Sequence, residues 1–308
     1  MVVYRDIQTL ARDLGFEPKT LYAVSYHRDR HYRTVRIPKA DGSHRRLSVP
    51  DEILKAIQRA VYRTLLFHMP ISPYAAAYRF GVSLRCNAEP HCRQKRVLKL
   101  DIYRFYDHIL YASVKDSVFP DRIYAEPLRV LLTMLCYDRD CLPQGAPSSP
   151  AIANIVMKDF DMETGAWCRA RQIRYTRYCD DLTFSGDFDP RAVYEFVNGL
   201  LRQAGFYINR NKIVLADAGQ RQLVTGLVVN DKVDVPPEYR REVRQELYYC
   251  KRFGVADHLR HTGYEGTPER YLCGLLGRLN HLLQYAGQDR KLLEERAWVM
   301  EEWRRVRN

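Results

Sequence analysis

The chain has 308 residues, 46% of them hydrophobic, enough to bury a substantial core and to build two or three closely packed subdomains. Its formal charge of +12 favours an anionic polymer as partner, a property shared by ribosomal and DNA-binding proteins. No apolar run approaches the ~18–20 residues that cross a bilayer, the start Met1-Val2-Val3-Tyr4-Arg5-Asp6 is no signal peptide, and the eight cysteines contain no Cys-x-x-Cys pair. A membrane span and a zinc site are therefore not expected, and the expected location is the cytoplasm, with reduced thiols.

Asp6 to Leu14 and Pro18 to His27 read as two short helices, Gly15 stopping the first and Pro18 starting the second. Residues 32–37 alternate as in a strand, and Asp41-Gly42 is a hairpin signal leading back through Leu47 and Val49. Asp51 caps a helix whose apolar positions Ile53, Leu54, Ile57, Val61, Leu65 and Leu66 keep helical spacing. Val97-Leu98-Lys99-Leu100-Asp101 is a buried strand ending in an acid. Helices follow around Pro127 to Cys136 and Pro150 to Ala170, the second opened by the turn-rich run from Leu142 to Pro150.

Tyr178-Cys179-Asp180-Asp181 then sets two adjacent carboxylates between the strand-like runs 173–176 and 182–184, a β-hairpin with acids at its tip. In isolation such a pair is an ordinary solvated turn. Together with Asp101 it forms a set of three acids able to hold two metal ions ~3.5–4 Å apart, as in-line phosphoryl transfer requires. A helix from Pro190 to Ala204 and strands at 206–208, 213–215 and 223–229 complete this region. After Val235-Pro236-Pro237 only helical spacing remains.

The ordered set Asp101, Gln144-Gly145 and Tyr178-Cys179-Asp180-Asp181 resembles the palm of a reverse transcriptase. Residues 37–47 resemble that family's fingers hairpin, and Gly205-Phe206 through Asn211-Lys212 its lysine-bearing palm strand. Asn87-Ala88-Glu89-Pro90-His91 and Val224-Thr225-Gly226 are similar to elements of the bacterial retron reverse transcriptases, from which Cys179 departs where many members carry Ala. The resemblance implies an α+β right-hand polymerase. Residues 1–96 would form N-terminal helices and fingers, 97–234 a palm with an antiparallel sheet and helices on one face, and 235–308 a helical, RNA-binding thumb.

By the same resemblance Asp101, Asp180 and Asp181 would hold two Mg²⁺ ions, Asp181 contributing mainly charge and positioning. Lys212 would donate a proton to the departing pyrophosphate or hold its charge. Lys39 and Arg45 would grip the triphosphate, Tyr106 would exclude a ribose 2′-hydroxyl with Phe105 packed beneath it, and Gln144 with Gly145 would lie near the sugar. Asn87 and His91 remain open between a structural role and an RNA contact. Arg240, Arg241, Arg244, Lys251 and Arg252 belong to a basic C-terminal stretch whose interleaved aromatics Tyr239, Tyr248, Tyr249, Phe253 and Tyr264 could stack on unpaired bases or serve as packing. The implied partners are a structured non-coding RNA of the msr-msd type, its cDNA, deoxynucleotides and a separate effector protein, with no membrane. The implied reaction starts from a 2′-hydroxyl, yields a branched RNA–DNA hybrid (msDNA) and serves phage defence. The rivals are a group II intron or diversity-generating reverse transcriptase, and a non-catalytic RNA-binding protein on a polymerase scaffold.

Overall fold

In the computed structural model, which describes residues 2–38, 42, 44–287 and 289–307, Asp6 starts helix α1 (Ile7–Leu14) by accepting from the Thr9 amide at 2.8 Å. Gly15 ends it at φ 76°, a value that glycine adopts without strain. Pro18 opens α2 (Pro18–Tyr26). Strands β1 (Tyr32–Pro38) and β2 (His44–Pro50) form a separate antiparallel hairpin, with Ile37 opposite Arg45. Lys39 and the Asp41 turn signal lie outside the described residues. Asp51 caps α3 (Glu52–Val61), which runs into a wider turn at Tyr62–Leu66.

The chain divides into two compact units. The first, Met1–Asn87 with Lys95–Ala216, contains residues 1–87 and 95–96 of the segment expected as N-terminal helices and fingers and most of the segment expected as palm. Its centre is an antiparallel sheet in the order β4-β5-β3-β6, made of β3 (Arg96–Asp101), β4 (Arg174–Tyr178), β5 (Asp181–Gly186) and β6 (Val214–Asp217). The short α4 (Leu84–Ala88) precedes β3. Helices α5 (Tyr111–Val118), α6 (Glu126–Cys136), α7 (Ser149–Val156), α8 (Lys158–Arg169) and α9 (Pro190–Gln203) accompany the sheet, α8 packing on β4. One buried apolar cluster runs from Tyr4 to Ile208 and holds Leu98, Leu100, Leu182 and Phe184 of the sheet.

Three expected elements differ. The helix expected from Pro150 to Ala170 breaks at Met157, where ψ rises to 1° and α7 gives way to α8. Residues 206–208 form no strand; Ile208 makes a single bridge to Ile102. The run 223–229 is a hairpin of β7 (Leu223–Val224) and β8 (Leu227–Val228), turned by Thr225 at φ 46° and Gly226 at φ 82°. Gly226 therefore serves as the second residue of a primed turn.

The second unit is Ala88–Gln94 with Asp217–Asn308 and begins ahead of the expected thumb boundary at 235. It contains that hairpin and helices α10 (Pro237–Phe253), α11 (Val255–Thr262), α12 (Pro268–Ala286) and α13 (Arg290–Arg307). Val243, Leu247, Leu272, Leu275, Leu279 and Leu282 are buried, as their helical spacing requires.

Candidate active site

The register of the sheet gathers the three acids. Asp101, the last residue of β3, lies opposite Asp181, the first of β5. Tyr178 also pairs with Asp181, which leaves Cys179 and Asp180 as a two-residue turn. Cys179 sits at φ 59°, the positive value that the first position of such a turn demands. The Ile102 amide donates to the Asp180 carbonyl at 2.9 Å and ties this turn to the chain just beyond Asp101.

A buried network fixes the turn from below. Arg177 and Asp161 are both fully buried. The guanidinium donates to Asp161 Oδ1 at 2.8 Å and Oδ2 at 2.7 Å, and through its remaining arm to the Cys179 carbonyl at 3.0 Å. The Tyr175 hydroxyl also donates to Asp161 Oδ1. This bidentate pairing with a third bond to the turn holds the backbone that carries Asp180. The sequence reading missed it, because nothing in the alternation of a strand marks an arginine as buried.

Burial first, and the neighbouring acids with it, raises the carboxyl pKa values of the two acids of the turn, Asp180 and Asp181. Asp180 is raised, with Asp101 contributing. Asp181 is pushed up to about 6 by burial, then by Asp180 and Asp101. Lys212 Nζ donates to Asp101 Oδ2 at 2.8 Å, and this bond raises the lysine pKa. Asn209 donates to Asp101 Oδ1 at 3.0 Å. Lys99, two residues before Asp101 and on the same strand face, offsets part of the charge on Asp181. Asn209 and Lys99 are additions to the expected set; of the two, only Lys99 carries a sequence signal, its place two residues before Asp101 on a strand.

Hard carboxylate oxygens that repel one another suit a hard divalent cation. The expected ligand cluster is not preassembled: among the described residues no three His, Cys, Asp or Glu side chains are grouped as metal ligands. The physical reason is visible at Asp101, whose two oxygens are held by Lys212 and Asn209.

On the nucleotide side, Phe105 is buried and packs edge-to-face against Tyr106 at 5.4 Å, a support beneath that ring rather than a surface contact. The Tyr106 hydroxyl accepts from the Cys179 thiol at 3.7 Å. Tyr78, which the sequence reading missed, interacts with both Tyr106 and Cys179, and burial raises the pKa of both tyrosines. The Gln144 carbonyl accepts from the Ser48 amide at 2.8 Å. Gly145 has φ 119°, and a Cβ there would lie 3.0 Å from the Ser48 carbonyl oxygen, so this loop fits against β2 only with glycine. Arg45 is exposed on β2.

The expected RNA contacts divide. Asn87 and His91 are fully buried, on α4 and the 3₁₀ turn Glu89–His91, and of the two roles left open for them this burial favours the structural one. Arg241, Arg244 and Arg252 are exposed on α10. Arg240 is paired with Asp234 at 2.6 Å, and Lys251 pairs with Glu295 and lies over the Trp298 ring.

Residues 37–234 match the family model described as reverse transcriptase (RNA-dependent DNA polymerase). Retron Mx65 reverse transcriptase of Myxococcus xanthus is 34% identical over 80% of this chain, which spans 63% of that relative's length. Retron Ec86 reverse transcriptase of Escherichia coli is 29% identical over 84% of this chain and 82% of its own length. Retron Ec83 reverse transcriptase of E. coli is 32% identical over 72% of this chain and 76% of its own. The sheet that sets Asp101 against the Asp180-Asp181 turn lies wholly inside the matched segment, and the chain belongs to the retron reverse transcriptases, RNA-directed DNA polymerases with the α+β right-hand fold.

Proposed function

We propose that the chain copies a cognate structured RNA into DNA from a 2′-hydroxyl primer, producing a branched msDNA, with two Mg²⁺ ions held by Asp101, Asp180 and Asp181. The opposition of Asp101 and Asp181, with Asp180 in the intervening turn, is the observation that carries this reading. Bound there, the ions would lower the pKa of the attacking hydroxyl and neutralise the leaving pyrophosphate.

The remaining steps belong to the protein's own side chains. Lys212 has 61% of its side chain exposed, so its ammonium can exchange Asp101 for a phosphate oxygen and give that oxygen a proton. Tyr106, propped by Phe105 and bonded by Cys179, fills the space a 2′-hydroxyl would need. Gln144 and Gly145 border the sugar, and Arg45 with Lys39 steadies the triphosphate. Arg241, Arg244 and Arg252 hold RNA phosphates. Similarity to retron enzymes supports work with a separate effector in phage defence, in the cytoplasm; no helix among the described residues is long and apolar enough to cross a membrane.

Purification from the native host with its bound nucleic acid, followed by sequencing, tests the reading. A DNA joined through a 2′–5′ linkage to one RNA species is the expected material. DNA extended only from 3′-hydroxyl primers would contradict it.

A further inference from the structure

We propose that a cleft in the second unit receives unpaired bases of the RNA partner while the adjoining face of α10 holds the phosphates. The inference rests on the RNA-binding reading above and adds to it a base-recognition site. The cleft, about 1690 Å³, lies wholly within that unit, between α10, α11, the turn at 263–266 and α12.

Its walls are aromatic and open. Tyr249, Phe253 and Tyr264 leave 37%, 55% and 38% of their surfaces exposed, and all three line the cleft. The Tyr249 ring lies nearly parallel to His258, at 14° with centroids 5.9 Å apart, and is stacked with Phe253 as well. Gly274, on α12, also lines it, and a Cβ there would meet nothing within 4 Å, so a flat ring can approach the helix backbone. Such rings are a platform for bases of any sequence, because every base has a π-face.

The charges sort base from backbone. Within α10, Glu242, Gln245, Tyr249 and Phe253 recur at intervals of three and four and face the cleft. Arg241, Arg244, Tyr248 and Arg252 recur in the same way and make the next stripe, also exposed. Glu246 is engaged by Arg278 and Tyr271, whereas Glu242 and Glu265 have no ion-pair partner among the described residues. Arg270 also lines the cleft and is exposed, so the excess of acid there is small; the two carboxylates accept hydrogen bonds from base N–H groups, while Arg241, Arg244 and Arg252, cations without an acidic partner among the described residues, lie on the next stripe of α10. A strand crossing α10 is therefore favoured with its phosphates on those arginines and its bases inward. Guanine offers N1–H and an amino group on one edge and uracil only N3–H, so guanine is the favoured base.

The test uses the full chain and three labelled RNAs sharing one stem: a blunt duplex, a uridine loop and a loop containing guanosines. Expected is an order guanosine loop, uridine loop, duplex, with about tenfold between first and last. Tyr249→Ala with Phe253→Ala abolishes that order and leaves the salt dependence of binding intact. Tyr249→Phe, which keeps the ring, preserves the order. Arg241→Ala with Arg244→Ala keeps the order but lowers the slope of log affinity against log salt by about 2. Native-chain binding without any loop preference, or a preference unchanged in the alanine pair, would overturn the cleft assignment alone. Failure of the native chain to bind any of the three RNAs would overturn the RNA-binding reading beneath it.

Discussion

Asp101 and Asp181 face each other as paired residues of antiparallel strands, and the turn between Tyr178 and Asp181 adds Asp180 to the same end of the sheet. Like charges directly opposite one another destabilise a sheet. Their persistence here is understandable if a cation is the intended occupant, and Lys212 already covers one of them.

The first consequence is a pH dependence. Asp181 is pushed up from 3.8 to about 6, so it takes a proton as pH falls through about 6. Cation binding needs the ionised form and competes with that proton, so the affinity of the nucleotide-free protein for Mg²⁺ should weaken as pH falls through that value, as calorimetric titration would show. Stability should move the other way. Between 3.8 and 6 the folded chain binds the proton more readily than the unfolded chain, so metal-free protein gains stability as pH falls through that window. Neighbouring protein crowds the Asp181 carboxyl, but the residue as a whole is still reached by solvent, and screening keeps this gain to about 1 kcal/mol or less.

The Arg177–Asp161 pair should be costly to break. Both side chains have no exposed surface, and Asp161→Asn leaves a buried cation with weaker partners. Loss of a partner from such a pair costs about 3–5 kcal/mol. Thermal denaturation should show a fall of roughly 10 °C for a unit of this size.

Tyr106→Ala removes the ring supported by Phe105. Competition between ribo- and deoxynucleotides should show discrimination falling at least ~10-fold, the scale of a steric pocket change. Undiminished discrimination would remove Tyr106 from the selection of sugar.

At Gly145 an alanine must adopt φ 119° and set its Cβ 3.0 Å from the Ser48 carbonyl. Gly145→Ala should cost about 1–3 kcal/mol. Since the loop also carries Gln144, the KM for deoxynucleotide should rise more than kcat falls in steady-state incorporation assays.

Much of this was legible in the sequence where local chemistry decides. Two adjacent aspartates between β-prone runs specify an acidic hairpin, and the strand ending at Asp101 follows from an apolar run closed by an acid. The caps Asp6 and Asp51 and the stop at Gly15 lie where the residue types put them. What the sequence did not disclose depends on distant partners. Arg177 is buried because Asp161, on another element, neutralises it. Asn87 and His91 have the spacing of one helical face, yet spacing does not tell a buried polar face from an exposed one. Residues 206–208 are β-prone, but only Ile208 finds a bridge partner, at Ile102. The tie of Tyr78 to Tyr106 and Cys179 joins three segments far apart in the chain.

The most direct measurement is DNA synthesis by the double variant Asp180→Asn with Asp181→Asn, alongside RNA binding by the same preparation. The carboxylates lie in the first unit and the exposed arginines of α10 in the second, so binding should stay near that of the native chain while incorporation falls by at least ~10³-fold. Incorporation at the native rate by this folded, RNA-binding variant would contradict the assignment of the Asp101–Asp181 site as the polymerase centre.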